Sequence, residues 1–506
     1  MMSGHDDNAE ISTDRMAGAA ALPSVWRRVR LLILRGSDPR GVAGLDDVVE
    51  TLRHAFAALG AEVDVAFDQP IGPRGTNVVF CGEKADSAEA VAAIPANSVI
   101  FNTEQFASVI FERRPHYASL LRRFPIWDYS IPNATYNLSM ALNWMIHLLP
   151  VGYMPQLSRI DPAPVQDIDV LFYGTMNERR LRILQELQQA GLRVEAGRGL
   201  YGAERDAAIA RAKIVLNVHF YESKVHEVVR TSYLLANHKA VVSECGDDTE
   251  IESDIRKAII GVPYERLVET CVALCRDDVA RRRAEENGFE IFSRRDQIPM
   301  LRHAIETTRW ALPRSINLGS GKSWNPGSLN IDIDPKWRPD ILADLSDPAT
   351  LGQSFQTERF GLVTLEPGSF ERIVTMDVLE HVGPLVELMT NCLALLCHGG
   401  VMKNGVPYDL SYGAWQDPTH VRAFNENSWL YYTTWFWYLG WREARFDLTD
   451  IKMILSPYGQ SLHAGGMAQE PLFRQPRAVD SMDVTLTKRP LTPQEKAKVD
   501  GMLDGF

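Results

Sequence analysis

The stretch S-I-N-L-G-S-G-K-S-W-N-P-G-S-L-N-I-D-I-D, residues 315–334, decides how the rest of the chain is read. A short apolar run, Ile316 and Leu318, ends in Gly319-x-Gly321, and a second apolar run then ends on Asp332 and Asp334. The pattern predicts strand, glycine turn, strand. Glycine lets the backbone approach a ligand closely. A carboxylate at the tip of the following strand can take both hydroxyls of a ribose.

The sequence beyond keeps this order. Asp344 follows a short apolar run in A-D-L (343–345), and F-E-R-I-V-T-M-D-V-L-E-H-V (370–382) reads as a strand ending near Asp377, Glu380 and His381. An amphipathic helix is expected over 384–397 with Gly399-Gly400 as its terminator. A strand over 401–406 then leads into V-P-Y-D-L-S-Y-G-A-W-Q-D-P-T-H-V-R-A-F (406–424). This succession resembles the class I S-adenosylmethionine-dependent methyltransferases, in particular the small type 11-like bacterial group, which shows a similar D-P-T-H-x-R-x-F.

The resemblance implies S-adenosylmethionine as cofactor, with Asn317, Gly319, Gly321, Asp332, Asp344 and Asp377 around it. Asp332 falls at the ribose-binding acid with Asp334 as a second, Asp344 near the adenine amine, and Asp377 by the methionine part. Asn317 stands where the pattern has an acid, and Ser323 where it has its last glycine; an amide oxygen still accepts a hydrogen bond from an ammonium group. Glu380 and His381 read as helix-start residues, Glu380 above all. His420 has the pKa range of a base that takes the proton of an acceptor hydroxyl, with Asp417 as its orienter. The alternative is that Asp417-Pro418 forms a turn that His420 caps or packs against. Residues 429–441, dense in aromatics, read as core packing plus a wall of the acceptor cleft. A final strand is expected over 484–487, and T-P-Q-E (492–495) is a capping box with Pro at its first helical position, opening a tail helix within 491–506.

A length of 506 residues exceeds one ordinary core, so two or three domains are expected. The net charge of −12 argues against nucleic acid as the main partner. No apolar run approaches the roughly 20 residues that span a bilayer, which leaves peripheral membrane contact compatible with the sequence. Residues 1–22 are polar and small without a signal-peptide core, so a disordered lead is expected. The six cysteines are scattered; Cys271 and Cys275 share a helix face without a matching His/Cys cluster. Buried free thiols in a reducing compartment are the reading, hence a cytoplasmic protein with no bound metal.

The first third alternates strands and helices. An apolar strand (29–34), a loop (36–41), a helix with Leu45, Val48, Val49, Leu52, Phe56 and Leu59 on one face, and a strand (62–66) make a βαβ unit. Strands at 77–80 and 98–101 continue it. N-T-E-Q (102–105) then stands either at the ligand-binding edge of a parallel sheet or as a helix N-cap. A helix over 140–149 is expected to close this domain, and 150–165, with four prolines, to be a linker. In the second third a strand (169–173) and the turn Gly174-Thr175-Met176-Asn177 precede a helix (178–190). Such a turn receives a phosphate, with Arg179 and Arg180 close by, or is an ordinary strand-to-helix connection. Glu227 and Arg230 lie at i,i+3 in E-V-V-R-T-S-Y-L-L-A-N-H-K-A-V-V-S-E (227–244).

Two tandem domains with N-T-E-Q in the first and this motif in the second resemble the GT-B glycosyltransferases. The resemblance implies a nucleotide-sugar donor held by the second domain: Glu227 on the ribose, Arg230, Gly174 and Thr175 near the diphosphate, Arg179 or Arg230 neutralising it as it leaves, and Glu104 facing the cleft as a catalytic residue. No metal is expected. The glutamate-x7-glutamate spacing of many such enzymes is absent.

The fold expected is therefore α/β: two tandem Rossmann-like domains of GT-B type (23–150 and 151–305), then a third Rossmann-like class I methyltransferase domain (306–490). The function expected is glycosyl transfer from a nucleotide sugar plus O-methylation of a glycan or glycosylated metabolite. The alternative is a methyltransferase whose front half is a non-catalytic glycan- or nucleotide-binding module.

Overall fold

A computed structural model describes residues 21–36, 42–106, 114–140, 143–197, 199–220 and 226–503. The expected disordered lead, all but its last two residues, and most of the loop 36–41 lie outside these. The chain divides into two compact units at Thr308 and Arg309.

The first unit holds two parallel sheets. One comprises β1 (Arg28–Ile33), β2 (Glu62–Phe67), β3 (Thr76–Phe80), β4 (Ser98–Asn102), β5 (Ile126–Asp128) and β6 (Ile146–Leu148), in the order β2-β1-β3-β4-β5-β6. The other comprises β7 (Ile168–Tyr173), β8 (Val194–Gly197), β9 (Ala212–Asn217), β10 (Ala240–Glu244) and β11 (Ile260–Val262), in the order β11-β10-β9-β7-β8. Strands β3, β4, β7 and β10 are buried along their whole length, so the sheets are covered on both faces and their strands read as apolar runs rather than alternations. The helix Asp46–Ala58 buries Val48, Val49, Leu52, Ala55 and Phe56, the face its 3.6-residue periodicity marks.

Two expectations fail here for local reasons. No helix covers 143–149; the helix lies earlier, at Ile131–Ser139, and β6 follows. Ser130 caps that helix and Pro132 stands in its first turn. Asn143 then takes over the backbone: its amide donates to Phe124 O at 2.7 Å, and its Oδ1 accepts from Met145 N at 2.7 Å. A side chain that satisfies backbone groups in this way competes with helix. The segment 150–165 is a packed connection rather than a free linker. Val151, Met154 and Leu157 are buried, and Gly152 N donates to Gln297 Oε1 at 2.6 Å.

The second unit is one seven-stranded sheet. Its strands are β12 (Ser315–Leu318), β13 (Leu329–Asp332) and β14 (Ile341–Leu342), then, after a separate hairpin of β15 (Ser354–Thr357) and β16 (Gly361–Thr364), β17 (Phe370–Met376), β18 (Leu396–Pro407), β19 (Ala444–Leu455) and β20 (Val479–Pro490). The order is β14-β13-β12-β17-β18-β20-β19, parallel as far as β18 and antiparallel beyond. Successive strands are added in one sense from β12 to β14 and in the other from β17 to β18, so β12 and β17, parallel neighbours, flank the switch point at which open parallel sheets bind ligands. The helix Leu385–Leu395 ends before β18, and Gly399 and Gly400 lie inside that strand rather than terminating the helix. Trp429, Tyr432, Phe436 and Trp441 join the core while Tyr431, Trp435 and Tyr438 stay exposed, so the aromatic stretch divides between packing and surface. The capping box is reciprocal: Glu495 N donates to Thr492 Oγ1 at 3.2 Å and Thr492 N to Glu495 Oε2 at 2.9 Å, opening the helix Pro493–Leu503.

Candidate functional site

In the second unit the glycine turn is built from its own backbone. Gly319 has φ +63°, and a Cβ there would meet Val378 Cγ2 at 2.5 Å, so only glycine lets the turn pack against the end of β17. Gly321 has φ +42°, and a Cβ there would meet nothing within 4 Å, so the turn faces open space. Asp332, 7% exposed, braces the turn: Oδ2 accepts from Gly321 N at 2.8 Å and Oδ1 from Asp334 N at 2.9 Å. Each oxygen keeps a lone pair for a further donor. Asn317 donates to Ser323 O at 2.9 Å and Asn330 Oδ1 at 3.0 Å, so its amide ties the turn to β13. Asn330 in turn donates to Asp340 Oδ2 at 2.9 Å. Asp344 accepts from the amide and hydroxyl of Ser346 at 2.8 and 2.7 Å, and Asp334 pairs with Lys336.

Past β17, Asp377 holds the left-handed conformation at φ +53°, uncommon for a residue with a side chain. The short 3₁₀ helix Leu379–His381 follows, in keeping with the helix-start reading, but its side chains do more than open a helix. Glu380 is 1% exposed, and neither carboxylate oxygen accepts a hydrogen bond from another residue. Burial pushes its carboxyl up to about 7. Ligand atoms of Glu380, His381 and His420 lie within 4.8 Å of one another, and the two imidazoles meet edge to face with centroids 4.6 Å apart.

His420 is oriented by Ala414 rather than by Asp417: Nδ1 lies 3.0 Å from Ala414 O, which can only accept, so Nδ1 carries the proton and Nε2 the lone pair. Asp417 instead accepts from Thr419 N at 2.9 Å and Thr419 Oγ1 at 2.7 Å, bonds that hold its carboxyl below the usual range. The Thr419 hydroxyl proton being so committed, its oxygen accepts from His381 Nδ1 at 2.9 Å. Asp417 thus acts on His381. The Asp417-Pro418 turn and the polar site coexist, which the sequence left as alternatives. Val421 N donates to Glu380 O at 2.9 Å, and Arg422 Nη2 donates to the carbonyls of Val382 and Gly383 at 2.8 and 2.6 Å, so the two segments are pinned together.

In the first unit, Glu104, Gly174, Thr175, Glu227 and Arg230 line one cleft of ≈ 370 Å³. Gly174 has φ +137°, and a Cβ there would meet Arg230 Nη2 at 2.7 Å. Glu227 sits between two guanidinium groups, Oε1 2.6 Å from Arg180 Nη2 and Oε2 2.9 Å from Arg230 Nη1. Arg180 is almost wholly buried and also donates to Val218 O at 2.9 Å and Thr175 O at 2.8 Å, making it the brace of this wall. Arg179 is not among the lining residues; it forms a bidentate pair with Glu244 and lies 4.0 Å from the Tyr264 ring centroid. Burial raises the Glu104 carboxyl, against the pull of Arg114 and Lys84. Asn102 secures the turn before it, donating to Glu104 O at 2.9 Å and accepting from Glu104 N at 3.1 Å. Across the cleft, Arg205 reaches Asp47 of the helix Asp46–Ala58 with Nη2 3.0 Å from Oδ1, both groups buried, under the Tyr233 ring at 4.2 Å. Nothing in the sequence joined Asp47 to Arg205, which are 158 residues apart.

No family model matches the chain. Three uncharacterized proteins of Acanthamoeba polyphaga mimivirus are similar to parts of it. L138 is 29% identical over 150 residues, 29% of this chain and 17% of that protein. L140 is 28% identical over 185 residues, 34% of this chain and 58% of that protein, and L137 is 27% identical over 173 residues, 33% and 22%. The chain thus spans less than two thirds of each relative it matches. Among solved structures, Anabaena HepE in complex with UDP and glucose aligns with 55% of this chain and 98% of its own at 14% identity and a TM-score of 0.39. WaaG, a glycosyltransferase involved in lipopolysaccharide biosynthesis, aligns with 55% and 98% at 12% identity and 0.38. A SAM dependent methyltransferase from Archaeoglobus fulgidus aligns with 35% and 86% at 14% identity and 0.24. Among the described residues no helix is long and apolar enough to cross a membrane.

Proposed function

We propose that the chain is a transferase of two activities, O-methylation by the second unit and glycosyl transfer from a nucleotide sugar by the first. The observation that carries the methyl-transfer reading is the glycine turn held by buried Asp332 at the switch point between β12 and β17. S-adenosylmethionine, when bound, supplies an electrophilic methyl group. Asp332 offers its remaining lone pairs to the ribose, Gly319 and Gly321 let the backbone approach, and Asn317, Asp344 and Asp377 complete the surroundings. His420 Nε2, which holds the lone pair of the neutral ring because the Ala414 contact takes the Nδ1 proton, accepts the proton of the acceptor hydroxyl as its oxygen is methylated. Asp417 positions His381 beside it.

In the first unit Arg230 and Thr175 face the donor diphosphate, Glu227 its ribose, and Glu104 the acceptor across the cleft. The acceptor is a glycan or a glycosylated small molecule, as in assembly of a surface polysaccharide. The six free cysteines fit a cytoplasmic setting. A second reading, a front unit that binds nucleotide or glycan without turnover, is favoured by the ion pairs that already engage both Glu227 oxygens.

Calorimetric titration with S-adenosylhomocysteine tests the first claim. A dissociation constant on the order of micromolar, lost in Asp332→Ala, is expected; absence of binding to the wild type would overturn methyl transfer. Hydrolysis or transfer of a uridine diphosphate sugar, abolished by Glu227→Ala, separates catalysis from mere binding in the first unit.

A further inference from the structure

We propose that Glu380, His381 and His420 form a site for a divalent transition-metal ion, a two-histidine, one-carboxylate set with positions left open for a hydroxyl-bearing ligand.

Three independent features converge on it. The first is reach. The ligand atoms lie within 4.8 Å of one another, and metal bonds of about 2.1 Å at a tetrahedral angle set ligand atoms about 3.4 Å apart, so closure draws the side chains together by about 1.4 Å at most, within the reach of side-chain rotation. The second is the carboxylate. A buried polar group without a partner is costly, and Glu380 brings to the cluster two buried oxygens that accept from no other residue. A cation satisfies both demands, charge and coordination. The third is the outer support. Imidazoles that bind metals through one nitrogen donate the other N–H to a fixed acceptor. His420 Nδ1 is held by Ala414 O and His381 Nδ1 by the Thr419 hydroxyl, itself held by Asp417, so each ring keeps Nε2 for an ion.

The donor set of two imidazoles and one carboxylate suits zinc, iron(II), manganese or cobalt better than magnesium or calcium, which take oxygen ligands. His381 is exposed and His420 half-buried, so the ion has a way in and coordination positions remain on the solvent side. The ligands stand on two segments pinned by the Val421–Glu380 and Arg422–Val382 bonds, so the backbone is held and only side chains move to close the site.

The role of the ion, though not its binding, rests on the methyl-transfer reading. An acceptor hydroxyl on the ion becomes more acidic and loses its proton to water, while His420 Nε2 serves as ligand instead of base. The oxygen then forms its bond to the methyl carbon as the carbon–sulfur bond breaks.

The test uses the full chain, stripped with a chelator and titrated with cobalt(II) under visible absorption and with zinc by calorimetry. One equivalent per chain is expected, with affinity falling at least tenfold in Glu380→Gln and in His420→Ala, and about tenfold in Thr419→Val through loss of the outer contact. His398→Ala, at an exposed histidine elsewhere, should leave binding unchanged. Failure of the wild type to bind either ion, or binding indifferent to His420 and Glu380, overturns the proposal. S-adenosylhomocysteine titrated into the same variants separates loss of the ion from loss of the fold. An ion bound without S-adenosylhomocysteine leaves the metal site standing and removes the methyl-transfer reading. Methyl transfer that persists after chelation, lost only in His420→Ala, leaves that reading standing and removes the ion from it.

Discussion

The guanidinium of Arg359 meets the carboxylate of Asp340 side-on, Nε to Oδ1 at 2.8 Å and Nη2 to Oδ2 at 2.7 Å, both side chains almost wholly out of water. Arg359 also donates to the carbonyls of Pro326 and Ser328, each at 2.8 Å, and lies 4.4 Å from the Trp324 ring. The pair therefore holds the return segment of the glycine turn. Removing one partner of a buried pair leaves the other charge unpaired and costs about 3–5 kcal/mol. Arg359→Ala should lower the stability of the second unit by that order, read as faster hydrogen exchange at β12 and β13. Unchanged exchange there would refute the assignment.

Asp128 sets a pH dependence in the first unit. Burial outweighs the hydrogen bonds from Asn102, Ser130 and Asn133 and pushes its carboxyl up to about 7, from an ordinary value of 3.8. Between roughly pH 4 and 7 the folded chain keeps a proton that the unfolded chain has released. The contribution of Asp128 to stability is then most favourable below that window and falls as pH rises through it, by at most about 1.4 kcal/mol per pH unit. Denaturant unfolding at pH 5 and at pH 7.5 should show a smaller decline in Asp128→Asn than in the wild type. Parallel declines would mean that Asp128 is ionised throughout.

Gly174→Ala probes the cleft wall proposed to hold the donor. The new methyl group would press on Arg230 Nη2 and must also adopt φ +137°. A stability loss of about 1 kcal/mol or more is expected. Displacing Arg230 should also weaken binding of a uridine diphosphate sugar, on the order of tenfold if one charge-assisted contact is lost. Calorimetry decides this, and unaltered affinity would place the diphosphate elsewhere.

Glu495 anchors the last helix as well as capping it. Its carboxylate accepts from Arg445 Nε at 2.9 Å and from Arg489 Nη1 and Nη2 at 2.7 and 2.6 Å. These groups are partly exposed, so Glu495→Gln should cost only about 1 kcal/mol, and less at high salt. Melting in low and high salt checks both magnitude and sign.

Much of this was legible in the sequence. Ile316, Leu318 and the glycines give strand and turn, because buried parallel strands are apolar throughout and a left-handed turn needs glycine. Glu104 follows β4 and Gly174 and Thr175 follow β7, in two different sheets, so strand ends pointed to these three, whereas Glu227 and Arg230, at the start of the helix Val228–Ala236, came only with the resemblance. What escaped depended on distant partners. The expected strands leave out β19, whose alternation of Asp447, Thr449 and Lys452 with apolar residues is the pattern of a half-exposed strand and which pairs antiparallel at the sheet edge. Arg179 looked available until Glu244, 65 residues on, claimed it. Glu380 read as a helix start because burial without a partner exists only once the segment carrying His420 packs over it. The same packing shows that Asp417 orients the other histidine.

The Asp47–Arg205 pair bears on how fast any ligand can enter the cleft. Spreading the cleft would strand two buried opposite charges, a cost of several kcal/mol. The walls therefore keep one separation, and a ligand meets an aperture already cut to size. Its uptake should follow a single exponential whose rate grows linearly with concentration, with no slower phase for a gate that must first swing aside.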